Sequence, residues 1–405
     1  MSEWKKVKLG DVCERVTSGG TPKANITSYY NPPTVPWLKT KEVNYCRITE
    51  TENYISEEGL ANSSAKLIAP NSVIIAMYGQ GDTAGRVAIN KIPLTTNQAC
   101  CNLTIDESKA DYEFIYYQLC TLYKKMVSLK AGAAQPNLNA QIIKNLEIKL
   151  PSLLIQHRIA NILSRYDSLI EKYQKQIKLL EEAAQRLYKE WFVDLHFPGH
   201  ENTKIIDGVP EGWELKSVTN NHLFNVAKCP IALFNGNKTY YATADVEGTY
   251  FCNSGVKIEY DNKPSRAQIQ PSLYSVWFAR MSNSFKIVGF VEQNNNRRED
   301  SILSSGFAGF ESHYERFGFL YCLISSQWFN DQKNRYATGA TQVSITNEGL
   351  SRIRCILPTT RLAEEFSLVT NKIIEETILY RENCIMLAES RDRLLPKLMS
   401  GEIEI

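Results

Sequence analysis

The chain has 405 residues, which is enough for two or three domains with cores of their own. Its 43% hydrophobic and 22% charged residues are typical of a globular protein, and its net charge of +2 excludes a strongly basic nucleic-acid binder, so such a function needs locally basic surface. No apolar run approaches the roughly 20 residues of a membrane span, and the first residues lack the apolar core of a signal peptide, which favours a cytoplasmic protein. The ten cysteines show no CxxC pair or metal-ligand spacing, so we interpret them as reduced and buried.

Residues 1–150 are expected to form a mixed α and β domain. A helix is predicted over 113–129, and loops are predicted over 17–36, which is rich in Gly and Pro, and over 131–139. Short apolar or alternating runs predict strands at 4–9, 35–43, 72–77, 86–89, 99–105 and 146–150.

Residues 153–191 contain no Gly or Pro and are rich in good helix formers. Their apolar positions advance by threes and fours as a heptad seam, with one four-residue stutter between Tyr173 and Ile177. A helix of this length would extend about 58 Å, at 1.5 Å per residue. Since its single apolar stripe must be buried, a second long helix is expected to pair with it.

After a linker rich in Gly and Pro at 196–212, residues 213–357 are expected to form a second mixed domain. A helix is predicted over 314–329, a loop over 336–344, and a final long helix over 361–395, which Pro396 should kink or end. Strands are predicted at 239–244, 256–260, 273–279, 285–290 and 353–357.

An internal repeat with an offset of 207 residues connects the two halves. Gly132-Ala133-Ala134-Gln135 matches Gly339-Ala340-Thr341-Gln342 at this offset, and the seam of the first helix falls on apolar positions of the second. We therefore predict an α+β fold in which two mixed α/β domains are joined by two long antiparallel helices in a pseudo-twofold tandem repeat. The predicted seam comprises Ile155, Ile159, Ile162, Tyr166, Leu169, Tyr173, Leu180 and Leu187, with Leu362, Phe366, Val369, Ile373, Tyr380, Leu387 and Leu394.

Motifs that could carry chemistry favour structural interpretations. Asn31-Pro32-Pro33 lacks the aromatic residue and the Gly-rich loop of an amino-group methyltransferase, so it is interpreted as a turn. The glycine-rich stretch 79–86 fits neither phosphate-binding motif and indicates a tight loop that brings Arg86 close to a polymer, or a plain hairpin. His196 and His200 lack carboxylate or thiolate company. The sequence predicts no catalytic residues, no cofactor and no metal.

Polar side chains on predicted loops are the remaining candidates for binding. Arg, Lys, Asn and Gln are the side chains that contact base edges, and Arg and Lys hold phosphates. The predicted DNA contacts are Lys23, Lys39, Lys41, Tyr78, Gln80, Arg86, Gln98 and Gln135 in the first half, and Arg266, Arg280, Lys286, Arg297, Arg298 and Gln342 in the second.

Several segments together resemble the specificity subunits of type I restriction–modification systems. These are WKKVKLGDV at 4–12, GGTP at 19–22, VPWLKTKEV at 35–43, YGQGDTAGR at 78–86, LPSLLIQHRIANIL at 150–163, PEGWELKSV at 210–218 and RDRLLPKLMSGEI at 391–403.

The resemblance implies two target-recognition domains, at 1–150 and 213–357, each reading one half of a bipartite DNA site. It implies that helices at 151–195 and 358–405 are conserved spacer regions, with 196–212 as the linker, and that the partners are double-stranded DNA, methyltransferase subunits and a restriction subunit. The resemblance also implies no active site. Two other interpretations stay open, namely a non-catalytic coiled-coil adaptor that binds proteins, and an enzyme whose site the motifs do not reveal.

Overall fold

The computed structural model describes residues 4–130 and 137–405. These residues divide into two compact units. The first unit extends to Ser168 and includes Leu387–Ile405, and the second is Leu169–Met386. In the described part of the chain, no helix is long and apolar enough to cross a membrane.

The first unit contains short strands, four short helices and the beginning of a long one. Its strands are β1 (Lys5–Lys8), β2 (Cys13–Ser18), β3 (Val35–Leu38), β4 (Arg47–Ile48), β5 (Tyr54–Ile55), β6 (Val73–Ala76), β7 (Val87–Asn90), β8 (Thr95–Thr96), β9 (Cys100–Ile105) and β10 (Glu147–Leu150). Its helices are α1 (Glu57–Ala61), α2 (Tyr112–Thr121), α3 (Tyr123–Ser128), α4 (Ala140–Lys144) and α5 (Leu153–Phe192), which continues into the second unit.

Three sheets organise the first unit. The largest has the order β2-β9-β6-β7-β4, a smaller one has the order β5-β3-β8, and β1 pairs with β10. The strands β6 and β7 are buried at every position, which explains why seven of their eight residues are apolar, Asn90 being the exception. One face of the large sheet packs against α2, whose first turn is capped by the Asp111 carboxylate accepting from the Phe114 N–H at 2.8 Å.

The second unit repeats this arrangement with different loops. Its strands are β11 (Ile205–Ile206), β12 (Val209–Pro210), β13 (Glu214–Ser217), β14 (Asn225–Val226), β15 (Lys238–Tyr241), β16 (Val246–Glu247), β17 (Tyr250–Phe251), β18 (Val256–Ile258), β19 (Ala267–Ile269), β20 (Ser275–Ala279), β21 (Ile287–Phe290), β22 (Ser301–Ser304), β23 (Phe307–Glu311) and β24 (Arg354–Leu357). Its helices are α6 (Asn295–Asp300), α7 (Tyr314–Ile324), α8 (Gln327–Arg335), α9 (Asn347–Arg352) and α10 (Thr360–Ser400), which ends in the first unit.

The sheets of the second unit have corresponding orders. One is β14-β23-β20-β21, another is β18-β15-β22-β19, and β13 pairs with β24 as β1 pairs with β10. The pairing of β15 with β22 is parallel, as is that of β3 with β8. The predicted repeat is therefore visible in strand topology as well as in sequence.

Within each unit, the segments of α5 and α10 pack against each other in opposite directions. In the second unit Tyr173 stacks on Tyr380 at 4.7 Å between ring centroids, while Trp191, near the end of α5, contacts Phe366, near the start of α10. Tyr173 and Tyr380 are separated by the repeat offset, so equivalent positions of the two helices meet at this level.

The helices also bury a face that the predicted seam does not include. Leu163 of α5, and Ile374 and Ile378 of α10, lie off the seam but belong to the domain cores. Two predicted seam residues, Leu169 and Val369, are exposed instead. The physical reason is that each helix packs on a domain as well as on the other helix, so its buried face is wider than a heptad seam.

Several predicted elements have different ends. The strand expected at 35–43 stops at Leu38, where a short 3-10 helix begins at Thr40. The helices expected at 113–129 and 314–329 are each divided into two, α2 with α3 and α7 with α8. Between α7 and α8, the Ser326 hydroxyl accepts from the Phe329 N–H and so caps α8.

The expected end of the last helix was wrong, because α10 continues through Pro396 to Ser400. Burial of Leu398 and Met399 in the first core offsets the cost of proline, about 3 kcal/mol. The loop expected at 131–139 lies mostly outside the described residues. The predicted boundaries at 150, 195, 212 and 357 separate the two domains from the long helices and the linker. These boundaries stay predictions.

Candidate nucleic-acid interface

The candidate contacts of the first unit lie on connections that follow buried strands. Residues 77–86 connect β6 to β7, and Asn97 and Gln98 form the turn between β8 and β9. The buried strands fix where each connection starts and ends, while Gln80, Asp82 and Gln98 between them are exposed.

Two predicted cations of the first unit already have carboxylate partners. Arg86 donates through Nη2 to Asp82 at 2.5 Å and through Nη1 to the Asn44 side chain at 2.9 Å. The bond from Arg86 lowers the pKa of the Asp82 carboxyl, so this acid stays ionised. Lys41 forms an exposed ion pair with Glu52. Their positive charges are therefore largely compensated within the protein.

The side chains of the other candidates of the first unit form no ion pair among the described residues. Lys39 donates to the Asn53 side chain at 2.9 Å and lies 4.9 Å from the centre of the Trp37 ring. Gln98 is exposed and accepts from the Thr21 hydroxyl. Lys23 and Gln80 are exposed and have no side-chain partner among the described residues.

Tyr78 is half-buried and packs on the first core. The prediction for Gln135 falls on a residue outside those that the structure describes.

In the second unit, two adjacent arginines are used inside the protein. Arg297 makes a bidentate pair with Glu382 of α10, at 2.7 and 2.9 Å, and donates to the Tyr241 hydroxyl at 2.8 Å. Arg298 donates to Asn295 at 2.8 Å and to Glu299 at 3.1 Å. The first arginine therefore anchors α10 to the second domain, and neither presents an uncompensated charge.

Arg280 and Lys286 bind only neutral oxygens among the described residues. Arg280 donates to the carbonyls of Phe307 at 3.2 Å and Ile345 at 3.1 Å, and to the Asn347 side chain at 2.9 Å. Burial lowers the pKa of its guanidinium, because part of its surface is withdrawn from water. Lys286 donates to the Thr243 carbonyl at 2.8 Å.

Arg266 and Gln342 are exposed, and no side-chain partner for either is seen in residues 4–130 and 137–405. Both lie on connections, Arg266 just before β19 and Gln342 between α8 and α9.

Sequence reasoning missed a buried lysine beside Arg280. Lys333 of α8 donates to the Ala279 carbonyl at 3.5 Å and to the Ser284 carbonyl, and so holds both ends of the connection from β20 to β21. Burial lowers the pKa of the Lys333 ammonium to about 8. The polar sequence around Lys333 gives no sign that its side chain is buried.

Two other motifs lie outside the β-strands and the α-helices. Asn31-Pro32-Pro33 lies in a connection before β3, and the Nδ1 atom of His200 lies 2.9 Å from the Phe197 carbonyl oxygen. In the part of the chain that the structure describes, no group of three or more His, Cys, Asp or Glu side chains is arranged to hold a metal ion.

The chain is similar to several known proteins. The family model described as "Type I restriction modification DNA specificity domain" matches residues 1–182. The MjaIX specificity subunit of Methanocaldococcus jannaschii, a type I restriction enzyme subunit, is 27% identical over all of this chain and 94% of its own length. The HindI specificity subunit of Haemophilus influenzae is 20% identical over the whole of both chains.

Over its full length, the chain is similar to specificity subunits of type I restriction enzymes. Its fold agrees with the solved S subunit from M. genitalium, with a TM-score of 0.63 at 17% identity, covering 98% of this chain and 96% of that one. The fold class predicted from the sequence is therefore confirmed. The DNA contacts of this chain stay predictions, and the ion pairs described above separate the cations among them into compensated and uncompensated ones.

Proposed function

We propose that the chain is the sequence-specific DNA-binding subunit of a type I restriction–modification complex. Each mixed domain reads one half of a bipartite DNA target, and the long helices position methyltransferase subunits, with a restriction subunit joining the complex. The observation that carries this proposal is similarity to named specificity subunits over the full chain, combined with the duplicated domain-and-helix architecture. The protein-binding adaptor is not favoured, since these relatives are named for specificity in restriction enzymes.

The chain itself is proposed to catalyse nothing, and methyl transfer and cleavage are assigned to its partners. Apart from Tyr78, the candidate side chains are amides, amines and guanidiniums, which bind bases and phosphates. Access to chromosomal DNA requires that the complex works in the cytoplasm.

Within the candidate surface, we assign the DNA contacts first to the cations that lack carboxylate partners among the described residues. An uncompensated cation gains the full attraction of a phosphate, whereas one in an ion pair must first lose its partner. The cations without a carboxylate partner are therefore the preferred DNA contacts, namely Lys23, Lys39, Arg266, Arg280 and Lys286. The cations with such a partner are Lys41, Arg86, Arg297 and Arg298.

The test is to express the chain with the methyltransferase subunit encoded beside it and to sequence the methylated bases of the host DNA. The expected result is a two-part motif that is absent when either gene is omitted. Methylation by the chain alone would show that it is an enzyme. Co-purification of the two subunits without any sequence preference, and without binding to DNA at low salt, would instead show an adaptor.

A further inference from the structure

One turn of the second unit lies among three of the predicted contacts. Ser305 and Gly306 form the turn between β22 and β23. The Arg280 backbone N–H donates to the Gly306 carbonyl at 2.9 Å, and its guanidinium donates to the next carbonyl, that of Phe307. Arg280 is therefore attached to this turn through both its backbone and its side chain.

Arg266 and Lys286 approach the same glycine from other elements. A Cβ atom added to Gly306 would lie 3.9 Å from Nη2 of Arg266 and 3.1 Å from Cγ2 of Thr243, whose carbonyl accepts from Lys286. The Ser305 N–H also donates to the Arg266 carbonyl at 2.8 Å. Arg280 and Arg266 thus lie at this turn and Lys286 is linked to it through Thr243, and we call Ser305–Gly306 with these three cations the cationic turn.

No carboxylate compensates these charges among the described residues. The acid closest along the chain to Thr243 is Asp245, and it accepts from the Ala242 N–H at 2.7 Å and from the Asn253 side chain at 3.3 Å. Like charges held close together repel each other, and partial burial strengthens this repulsion because less water screens the charges. An anion at the cationic turn would remove the repulsion.

The cavity beside the turn has several polar residues in an otherwise apolar lining. This cavity, of about 360 Å³, has room for a phosphate group, and its polar lining residues include Lys228, Gln268, Arg280, Ser305 and Asn347. Three of the five N–H groups of Arg280 are used by the protein, which leaves two for a ligand. Glycine at position 306 adds no side chain to the middle of this arrangement.

We propose that the cationic turn binds one phosphate of the DNA backbone, with Arg266, Arg280 and Lys286 supplying the positive charge. This proposal rests on the proposed function and goes beyond it, because it assigns these residues to backbone binding and not to base reading. Such a contact fixes the register of the second domain on the duplex. It contributes the same binding free energy whatever the DNA sequence.

The first experiment measures binding of the chain, in complex with its methyltransferase subunits, to a duplex carrying the methylated motif. Arg266→Gln and Lys286→Gln are compared with the wild type between 50 and 200 mM salt, and Lys204→Gln, an exposed lysine on the linker, is the matched control. Each cation lost from the site should weaken binding to all duplexes alike. One phosphate contact accounts for about a three-fold loss of affinity between 50 and 200 mM salt. A variant that loses this contact should therefore lose about three-fold less affinity than the wild type across the same range. The control should leave both quantities unchanged.

The second experiment identifies the phosphate. Duplexes in which one phosphate at a time is replaced by an uncharged methylphosphonate are bound by the wild type and by Arg266→Gln. The proposal predicts one position, within one half of the target, where the replacement weakens the wild type several-fold and has little further effect on the variant. If each methylphosphonate weakens binding of Arg266→Gln by the same factor as binding of the wild type, at every position, the turn does not bind a phosphate.

A changed methylation motif with an unaltered salt dependence would overturn the proposal in favour of base reading. Failure of the wild-type complex to prefer any sequence would contradict the proposed function itself. The two failures are therefore separated by the behaviour of the wild type.

Discussion

The same connection carries different electrostatics in the two units. The Ala76 N–H donates to the Arg86 carbonyl at 2.9 Å, and the Ala279 N–H donates to the Lys286 carbonyl at the same distance, so Arg86 and Lys286 hold corresponding places. Arg86 is compensated by Asp82, whereas Lys286 donates to a neutral carbonyl. Corresponding cations in one fold therefore differ in the charge that they present.

The neighbouring turn shows the same difference. Asn97 and Gln98 occupy the turn between β8 and β9, where the second unit has Ser305 and Gly306. Amide side chains suit the donor and acceptor pattern of base edges, while a glycine turn surrounded by cations suits a phosphate. Under the proposed function, one scaffold would therefore recognise DNA by two chemistries, and the residues of its connections would decide which.

The attachment of the long helices also differs. In the first unit Asp167 of α5 accepts from Arg391 of α10 at 2.5 Å, from Arg47 at 2.9 Å and from the Tyr117 hydroxyl at 2.5 Å. In the second unit Glu382 of α10 binds Arg297. The repeat places Ile374 where Asp167 would recur, so each domain is fixed to the helices by its own ion pairs.

The largest expected effect tests the attachment of the first unit. Asp167→Asn leaves Arg47 and Arg391 without the buried carboxylate that they share, and loss of one partner of a buried pair costs about 3–5 kcal/mol. Hydrogen exchange should rise in β6 and β9, and should stay unchanged in β20 and β23.

The matched control is Glu365→Gln, which removes an exposed ion pair with Arg361 on α10 and should cost less than about 0.5 kcal/mol. Equal destabilisation of both units by Asp167→Asn would show that the two attachments are not independent.

The features that the sequence predicts well are those with a local signal. The strands β6 and β21 are continuous apolar runs, and β7 and β20 each contain only one polar residue. The long helices carry a heptad pattern, so these strands and helices are found close to their predicted positions. Strands of two or three residues, such as β8 and β16, contain no complete period and were not predicted.

The electrostatics of the candidate site depend on contacts between distant parts of the chain. Glu382 is 85 residues from Arg297, so no pattern near the arginine shows that its charge is compensated. The pair of Asp82 with Arg86 is different, because its four-residue spacing is visible in the sequence. Grouping the cations by their partners therefore needed the fold.

A pH dependence confined to the second unit is the next prediction. Lys333 has a pKa of about 8 in the folded chain, below the ordinary 10.5, so the unfolded chain binds more protons between pH 8 and 10. The contribution of this lysine to stability should rise with pH in that window, by at most about 1.4 kcal/mol per unit. Urea unfolding followed by tryptophan fluorescence should show this rise in the wild type relative to Lys333→Met.

Lys204→Met is the control, because this lysine is exposed and its removal should not alter the pH profile. Parallel profiles for the wild type and Lys333→Met would show that the ammonium is not held in a desolvated site.

Base reading by the amide turn is tested by Gln98→Ala. If the side chain contacts a base edge, discrimination at one position of one half-site should fall by about 1–3 kcal/mol. The salt dependence of binding should stay the same, in contrast to Arg266→Gln. Sequencing of methylated sites measures the first quantity, and binding to the target duplex at several salt concentrations measures the second. A uniform loss of affinity would assign Gln98 to the backbone.

The smallest expected effect comes from making the first unit resemble the second. Asp82→Asn removes the carboxylate that compensates Arg86 while it keeps a side chain of similar size. If the connection between β6 and β7 lies against DNA, the freed guanidinium should steepen the salt dependence of binding by up to about 0.9 in the logarithmic slope. The control Asp106→Asn frees Lys109 away from the candidate turns, and it should leave the slope unchanged. A steeper slope in both variants would reflect the change in net charge, whereas a steeper slope in Asp82→Asn alone would show that compensation by Asp82 determines how the first unit binds DNA.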